Sequence, residues 1–508
     1  MTTRILVGHV LDVLKTMEDE SVHMCVTSPP YYGLRAYGTD PQIWGGRDDC
    51  QHEWQWIGTR KGRHSKSGEN SQLTTESRRV AEAQNAGQNA GMGEKCVRCL
   101  AWRGEHGQEP SFDLWLQHEV LIFREVRRVL RKDGTLWLNI GDAYATTPNG
   151  RSAEDQKAAG TDNRTFRNKP NSTIGGRFKM KDRLLMPHRL AIALHEDGWW
   201  IRDEIVWAKL NSMPSSIKDR TCPAHEYLFM LTKKPHYYYD YVAIQEPLAE
   251  ATLEDRIDGD RFRPDRGHPS ENHSAGNGRL VDNGAKIKRS VWSLALEPFP
   301  EAHFATFPTA LIQPAIEAGT SARGCCRKCG APWERVTRTK FTPQEDAPNS
   351  SRRQPGQTAP EMRWNTGQGS ERGTVEHVTL GWYPACKCIK APKLPDYPER
   401  PKAKGGKAEP KLLREWEKAC AAVDAERWSL CVSVAETKTD PCIVLDPFGG
   451  SGTTGVVADM LGRDAILIEL NPTYAQMARK RIRENLGRVQ SDIPEDKPAD
   501  LPLFKAAE

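Results

Sequence analysis

The 508-residue chain has no apolar run of about eighteen residues, and its start, Met1-Thr2-Thr3-Arg4-Ile5-Leu6-Val7, lacks the apolar core of a signal peptide. These absences predict a soluble, cytoplasmic protein with no membrane partner. Hydrophobic residues make up only 38% of the chain. That is below the ~45–50% usual for globular domains, so long polar insertions around an ordinary core are expected. Net charge is also small, +5 from 72 basic and 67 acidic residues. No partner can be argued from the total, since basic patches that neutralise phosphates hide in a balanced sum. There is no internal repeat, and no glycine loop followed by Gly-Lys-Ser/Thr that would cradle a nucleotide triphosphate.

Cysteine is not scarce. The 13 cysteines are odd in number and fall mostly in close pairs, a pattern that favours metal ligation over disulfides in a reducing compartment. Cys50-x-His52 with Cys96-x2-Cys99 offers four ligands for a closed, structural zinc site, and Cys326-x2-Cys329 with Cys386-x-Cys388 offers four more. Cys325 competes with Cys326, and unrelated surface and core cysteines are the plain alternative for both sets. Cys25, Cys222, Cys420, Cys431 and Cys442 read as isolated thiols.

Apolar spacing alternates between strand-like and helix-like segments. Ile5–Val7 and Val22–Val26 read as strands and Val10–Met17 as a helix. Leu116–Leu130 follows as a helix, then a turn at Lys132-Asp133-Gly134 and a strand over Thr135–Ile140. A helix over Leu184–His195, strands over Trp199–Trp207 and Glu226–Leu231, and a last α/β unit from Cys442 to about Leu486 complete the pattern. Together they predict a doubly wound, mostly parallel α/β sheet of Rossmann-like type.

Two loops carry chemistry. Strand-like Cys442–Leu445 runs into Asp446-Pro447-Phe448-Gly449-Gly450-Ser451-Gly452-Thr453-Thr454, and the next strand, Ala465–Ile468, ends in Glu469. Glycines let the backbone turn and approach a ligand, Asp446 sets a carboxylate beside a cationic or hydroxyl group, and Glu469 is placed to accept from ribose hydroxyls. A carboxylate where a pyrophosphate would want bare N–H groups suits S-adenosylmethionine better than a dinucleotide. The other reading is a tight strand–helix turn. At the far end of the chain, Thr27-Ser28-Pro29-Pro30-Tyr31 closes a strand. An exocyclic base amine is a poor nucleophile because its lone pair is delocalised, and accepting hydrogen bonds from both its hydrogens makes it a better one. The Ser28 hydroxyl and Pro29 carbonyl are such acceptors, Pro29 and Pro30 stiffen the loop, and Tyr31 offers a face on which a flipped base stacks. On its own this motif also reads as a strand-ending turn.

In this order the motifs resemble the β-type DNA amino-methyltransferases, the N4-cytosine and N6-adenine DNA methylase family. Arg124–Thr135, Asn139-Ile140-Gly141-Asp142, Gly198–Lys209 and His225-Glu226-Tyr227 are similar to further family blocks, and His303–Pro308, with Phe304 and Phe307, to the segment over the cofactor's methionine end. About half the chain is covered. The family often has Gly-Asp where this chain has Gly8-His9, which leaves that one cofactor contact open. The resemblance implies methyl transfer from S-adenosylmethionine to a flipped base in double-stranded DNA. Ser28 leans towards cytosine N4, adenine N6 being the alternative. A zinc-stapled DNA-binding protein with an inactive core is the rival of another class. C5 chemistry would need a Pro-Cys nucleophile, which Thr27–Tyr31 lacks. No nuclease motif is present, so any restriction endonuclease partner would be a separate chain.

The implied division has residues 1–46 and 110–245 as the catalytic half, 47–109 as the first zinc insertion, and 246–300 as a polar target-recognition segment. Residues 301–322 cover the cofactor, 323–390 form the second zinc insertion, and 391–430 a charged linker and helix. The cofactor-binding half spans 431–490, followed by a disordered tail, 491–508. Residues 147–183, with nine basic against four acidic, and 256–289, with eight against five, are candidates for phosphate contacts or solvated linkers.

Overall fold

The computed structural model describes residues 2–57, 93–146, 167–168, 172–212, 214, 216–247, 285–297, 307–343, 373–399, 401 and 410–486. It divides into two compact units: Met1–Tyr239 with Arg289–Ala322 and Pro441–Glu508, and Asp240–Lys288 with Arg323–Asp440. Phe304, the tail after residue 490, most of 147–171 and most of 246–300 lie outside the described residues.

In chain order, the first unit begins with β1 (Thr3–Val7), α1 (Val10–Thr16) and β2 (Val22–Thr27). Four short strands follow: β3 (Gln42–Trp44), β4 (Trp54–Trp56), β5 (Gly93–Cys96) and β6 (Trp102–Gly104). Next come α2 (Phe112–Val129), β7 (Leu130–Ile140), α3 (Met186–Glu196), β8 (Trp200–Lys209), β9 (His225–Thr232), β10 (Val291–Leu294) and α4 (Thr309–Gly319). The second unit contributes β11 (Trp333–Pro343), β12 (Gly373–Pro384) and α5 (Pro410–Val434). The first unit then resumes with β13 (Ile443–Asp446), α6 (Thr453–Met460), β14 (Asp464–Glu469) and α7 (Pro472–Leu486).

Eight strands form the main sheet in the order β1-β14-β13-β2-β7-β9-β8-β10. All neighbours are parallel except β9, which runs antiparallel to both β7 and β8. The expected doubly wound, mostly parallel sheet is therefore present. Alternation along β14 shows why it is covered on both faces: Ile466 and Ile468 join the core under α2, while Leu467 joins the one formed with Val456, Ala475 and Ala478. Helix α2 is amphipathic, burying Trp115, Ile122, Phe123, Val126 and Val129, and the Ser111 hydroxyl caps it by accepting from the Leu114 N–H at 3.2 Å.

Helix α2 stops at Val129 and β7 starts at Leu130, ahead of the expected turn at Lys132-Asp133-Gly134. Val22 pairs with Leu130 but Met24 pairs with Thr135, so the three turn residues bulge out of a continuous strand. Gly134 sits against the His23 carbonyl, where a Cβ would come within 2.7 Å. A side chain there would push the two central strands apart.

Beside the main sheet, β3, β6, β5 and β4 form a four-stranded antiparallel sheet in that order. In the second unit β11 and β12 pair along their full lengths and α5 packs on them around Trp333, Val336, Tyr383, Cys431 and Val434. The helix expected within 391–430 continues to Val434. Among the described residues, no helix is long and apolar enough to cross a membrane.

Candidate active site

Strands β2 and β13 are neighbours, and from them the chain moves outward in opposite directions, β2 to β7 and β13 to β14. Their carboxyl ends therefore flank a topological switch point, where open α/β sheets bind ligands. The serine–proline loop leaves β2 there and the glycine loop leaves β13. A single cleft is lined by Ser28, Pro29, Pro30 and Tyr31 from the first, and by Pro447, Phe448, Gly449, Gly450, Ser451 and Thr453 from the second. Glu469, from the end of β14, and Phe307 also line it.

Asp446 does not reach that lining. Its carboxylate is buried and already engaged: Oδ1 accepts from the Thr27 hydroxyl at 2.7 Å and the Phe448 N–H at 3.0 Å, and Oδ2 from the Thr454 hydroxyl at 2.6 Å. The expectation that it faces a ligand is corrected. Burial raises its pKa, and these three donors only partly offset that. Asp446 and Thr454 organise the loop from behind. Gly452 does likewise, at φ 80° with a Cβ position only 2.8 Å from Ala478.

Glu469 is different. Oε2 accepts from the Gly450 N–H and Oε1 from the Asn471 N–H, both at 2.8 Å, and the residue lines the cleft. Burial pushes its pKa up to about 7. The cleft thus has a carboxylate able to accept from ribose, glycines for close approach, and aromatic faces at Phe448 and Phe307, a donor–acceptor set that fits a nucleoside-containing methyl donor.

Around the serine–proline loop, the Trp115 indole N–H donates to the Pro30 carbonyl at 3.0 Å, and Gly107 lies close enough to Pro30 that a Cβ would come within 3.2 Å. The Ser28 hydroxyl donates to the Tyr31 hydroxyl, and that in turn to Glu226 Oε2, both at 3.3 Å. Glu226 also binds Lys209, whose ammonium lies 4.7 Å from the Trp207 ring. Trp207, Lys209, Glu226 and Asn139 line the cleft. Blocks containing them were legible as family-like, but nothing in their spacing marked them as site residues.

Two further lining groups come from the segment read as a zinc insertion. Glu105 accepts from the Tyr37 N–H and, at 3.2 Å, from the Gly38 N–H, and burial pushes its pKa up to about 7. His106 stacks on Phe448 with ring centroids 5.9 Å apart and is bound to Glu109 at 2.7 Å and Glu119 at 2.8 Å. His9 lines the cleft too; its Nε2 is buried with no hydrogen-bond partner among the described residues, and its ring meets Trp44 edge-on at 4.5 Å.

The ligand atoms of Cys50, His52, Cys96 and Cys99 lie within 4.8 Å of one another, as do those of Cys326, Cys329, Cys386 and Cys388. Cys50 and Cys96 sulfurs are 3.9 Å apart, and Cys99 Sγ is 3.4 Å from His52 Nδ1. Zn–S bonds of ~2.3 Å at tetrahedral angles require S···S of about 3.8 Å, so the first set fits zinc closely. In the second set the competitor is set aside: Cys325 Sγ contacts the Asp440 carbonyl at 3.4 Å, leaving Cys326 in the cluster. Leu100 at φ 65° and Gly330 at φ 67° occupy equivalent places after the two Cys-x2-Cys turns.

Comparison with known proteins agrees with this architecture. The chain matches the N6/N4 DNA methylase family over residues 22–326 and 429–480, a span that contains both loops. It is 35% identical over 313 residues to Type II methyltransferase M.Cfr9I of Citrobacter freundii, covering 62% of this chain and 71% of that protein. To Type II methyltransferase M.SmaI of Serratia marcescens it is 30% identical over 321 residues, covering 63% and 76%. The chain belongs to the N4/N6 amino-methyltransferase family and is a DNA methyltransferase.

Proposed function

We propose that the protein transfers a methyl group from S-adenosylmethionine to the N4 amine of a flipped cytosine in double-stranded DNA. The observation that carries this reading is the placement of the Ser28 hydroxyl and Tyr31 in one cleft with Phe448, Gly450 and Glu469. S-adenosylmethionine supplies an electrophilic methyl on a sulfonium. Glu469 accepts from the ribose hydroxyls, Phe448 and Phe307 pack on the ligand, and Gly449 and Gly450 admit it close to the backbone. Ser28 and the Pro29 carbonyl accept from the two amine hydrogens, freeing the nitrogen lone pair, while Tyr31 stacks on the base. Transfer is a direct displacement with no covalent enzyme intermediate, so no cysteine acts as a nucleophile. Two structural zinc ions, in the four-ligand sets around Cys96 and Cys326, staple the segments that carry them. The names of the relatives, Type II methyltransferases, favour a role in restriction–modification.

The test is expression in a host without methylases of its own, digestion of the DNA to nucleosides, and mass spectrometry. N4-methylcytosine, absent with Ser28→Ala, supports the reading. N6-methyladenine would keep the mechanism and overturn the base assignment, and no methylated base in any supplied DNA would favour the binding-protein rival.

A further inference from the structure

Glu226 has no part in the chemistry above, yet it sits one hydrogen bond away from it. It comes from β9, directly across the antiparallel pair from Trp207 of β8, and is joined to the serine–proline loop only through Tyr31. The directions of the bonds are set by chemistry. The Tyr31 oxygen receives the Ser28 hydroxyl proton and faces the Gly141 backbone N–H, so its two lone pairs are used. Its own proton therefore goes to the Glu226 carboxylate. Burial holds the Tyr31 phenol well above its ordinary pKa, so it keeps that proton at rest. Gly141 makes the arrangement sterically feasible, because a Cβ there would come within 3.0 Å of both the Tyr31 ring and the Glu226 carboxyl carbon.

Two consequences follow for a base in the cleft. With its proton committed to Tyr31, Ser28 meets the base only as an acceptor, which suits an amine and disfavours a carbonyl oxygen. The same bonds form an ordered path from the base to a carboxylate. We propose that Ser28, Tyr31 and Glu226 are a proton relay, Glu226 being the positioning residue at its end that receives the proton released by the methylated amine. This rests on the amine-methylation reading above.

The step balances. The N–CH3 bond forms from the amine lone pair as the donor's S–CH3 bond breaks and its electron pair returns to sulfur, leaving a positive nitrogen that still carries a hydrogen. That hydrogen passes as a proton to Ser28 Oγ, the Ser28 proton to the Tyr31 oxygen, and the Tyr31 proton to Glu226, which becomes a neutral acid. Serine and tyrosine end as they began, so neither alkoxide nor phenolate accumulates. Lys209, bound to Glu226, holds the carboxylate in place between turnovers. The 3.3 Å links are long for O–H···O bonds, as catalytic contacts often are before substrate binds.

The experiment is single-turnover methylation by the full-length protein carrying Glu226→Gln, Tyr31→Phe, both, or Glu226→Asp, with DNA and S-adenosylmethionine affinities measured alongside. Tyr31→Phe keeps the aromatic face and removes the relay oxygen. Each single change to Gln or Phe should slow the chemical step by roughly 10²-fold, the scale of general acid–base catalysis, with both affinities within about three-fold. The double variant should be no slower than the slower single one, because one broken link already interrupts the path, and Glu226→Asp should recover part of the rate. A chemical step within about three-fold of wild type in Glu226→Gln, or independent losses that multiply in the double variant, would overturn the relay. Nucleoside mass spectrometry of the wild-type product tests the amine reading separately.

Discussion

The Thr27 hydroxyl donates to the Asp446 carboxylate at 2.7 Å, joining residues 419 positions apart in sequence. This bond links the residue that opens the serine–proline loop to the residue that opens the glycine loop, at the ends of adjacent strands. It explains how a base-holding loop and a cofactor loop at opposite ends of the chain come to share one cleft. Replacing Thr27 by Val should remove the donor while keeping the shape. Leaving a buried carboxylate short of a partner should cost about 1–3 kcal/mol of stability, read by denaturant unfolding, and S-adenosylmethionine affinity should fall with it.

Ser28→Ala removes one acceptor for the amine but leaves the backbone, Tyr31 and the glycine loop untouched. Turnover should drop by roughly 10²–10³-fold, by analogy with the loss of one preorganised polar contact at a reacting centre. Cofactor affinity, measured by calorimetry, should hold. A parallel loss of cofactor binding would mean that Ser28 supports the cleft and not the base.

Cofactor affinity should depend on pH. Burial has pushed Glu469 and Glu105 up to about 7 from the ordinary 4.5. Glu469 accepts from ribose hydroxyls as a carboxylate and does so poorly as a neutral acid, so S-adenosylmethionine binding should weaken as pH falls below about 7, by up to about ten-fold per unit. Glu469→Gln should bind more weakly at pH 8 and lose most of the dependence. For the free protein the sign is opposite. A raised folded-state pKa contributes stability below the unfolded value of 4.5 that is lost as pH rises through about 7.

Purified protein should carry two zinc ions per chain, one in each four-ligand set, measurable by elemental analysis. Cys99→Ser should abolish one and lower turnover, since the four-stranded sheet it staples leads directly into Glu105 and His106 of the cleft. Cys388→Ser should abolish the other.

Much of this molecule was legible in its sequence because local chemistry wrote it there. The strands and helices of the α/β sheet follow apolar spacing, Ser28-Pro29-Pro30-Tyr31 and Asp446–Thr454 declare themselves by residue type, and the cysteine pairs by close spacing. The turn at Lys132–Gly134 was misread because a bulge inside a strand has the same local composition as a loop. Asp446 was assigned to the ligand because a carboxylate after a strand looks the same whether it faces a cleft or its own loop, and only Thr27, Thr454 and the Phe448 N–H reveal which. Glu105 and His106 carry no motif, and the family-like blocks that contain Lys209 and Glu226 do not mark them as site residues. They reach the site through strand pairing and through the packing of a segment that looked like mere scaffolding. Residue types and near-neighbour spacing set the chemistry available to the chain. Tertiary structure alone decided which groups meet, because hydrogen bonds between distant residues depend on strand order and register, which no short stretch of sequence contains.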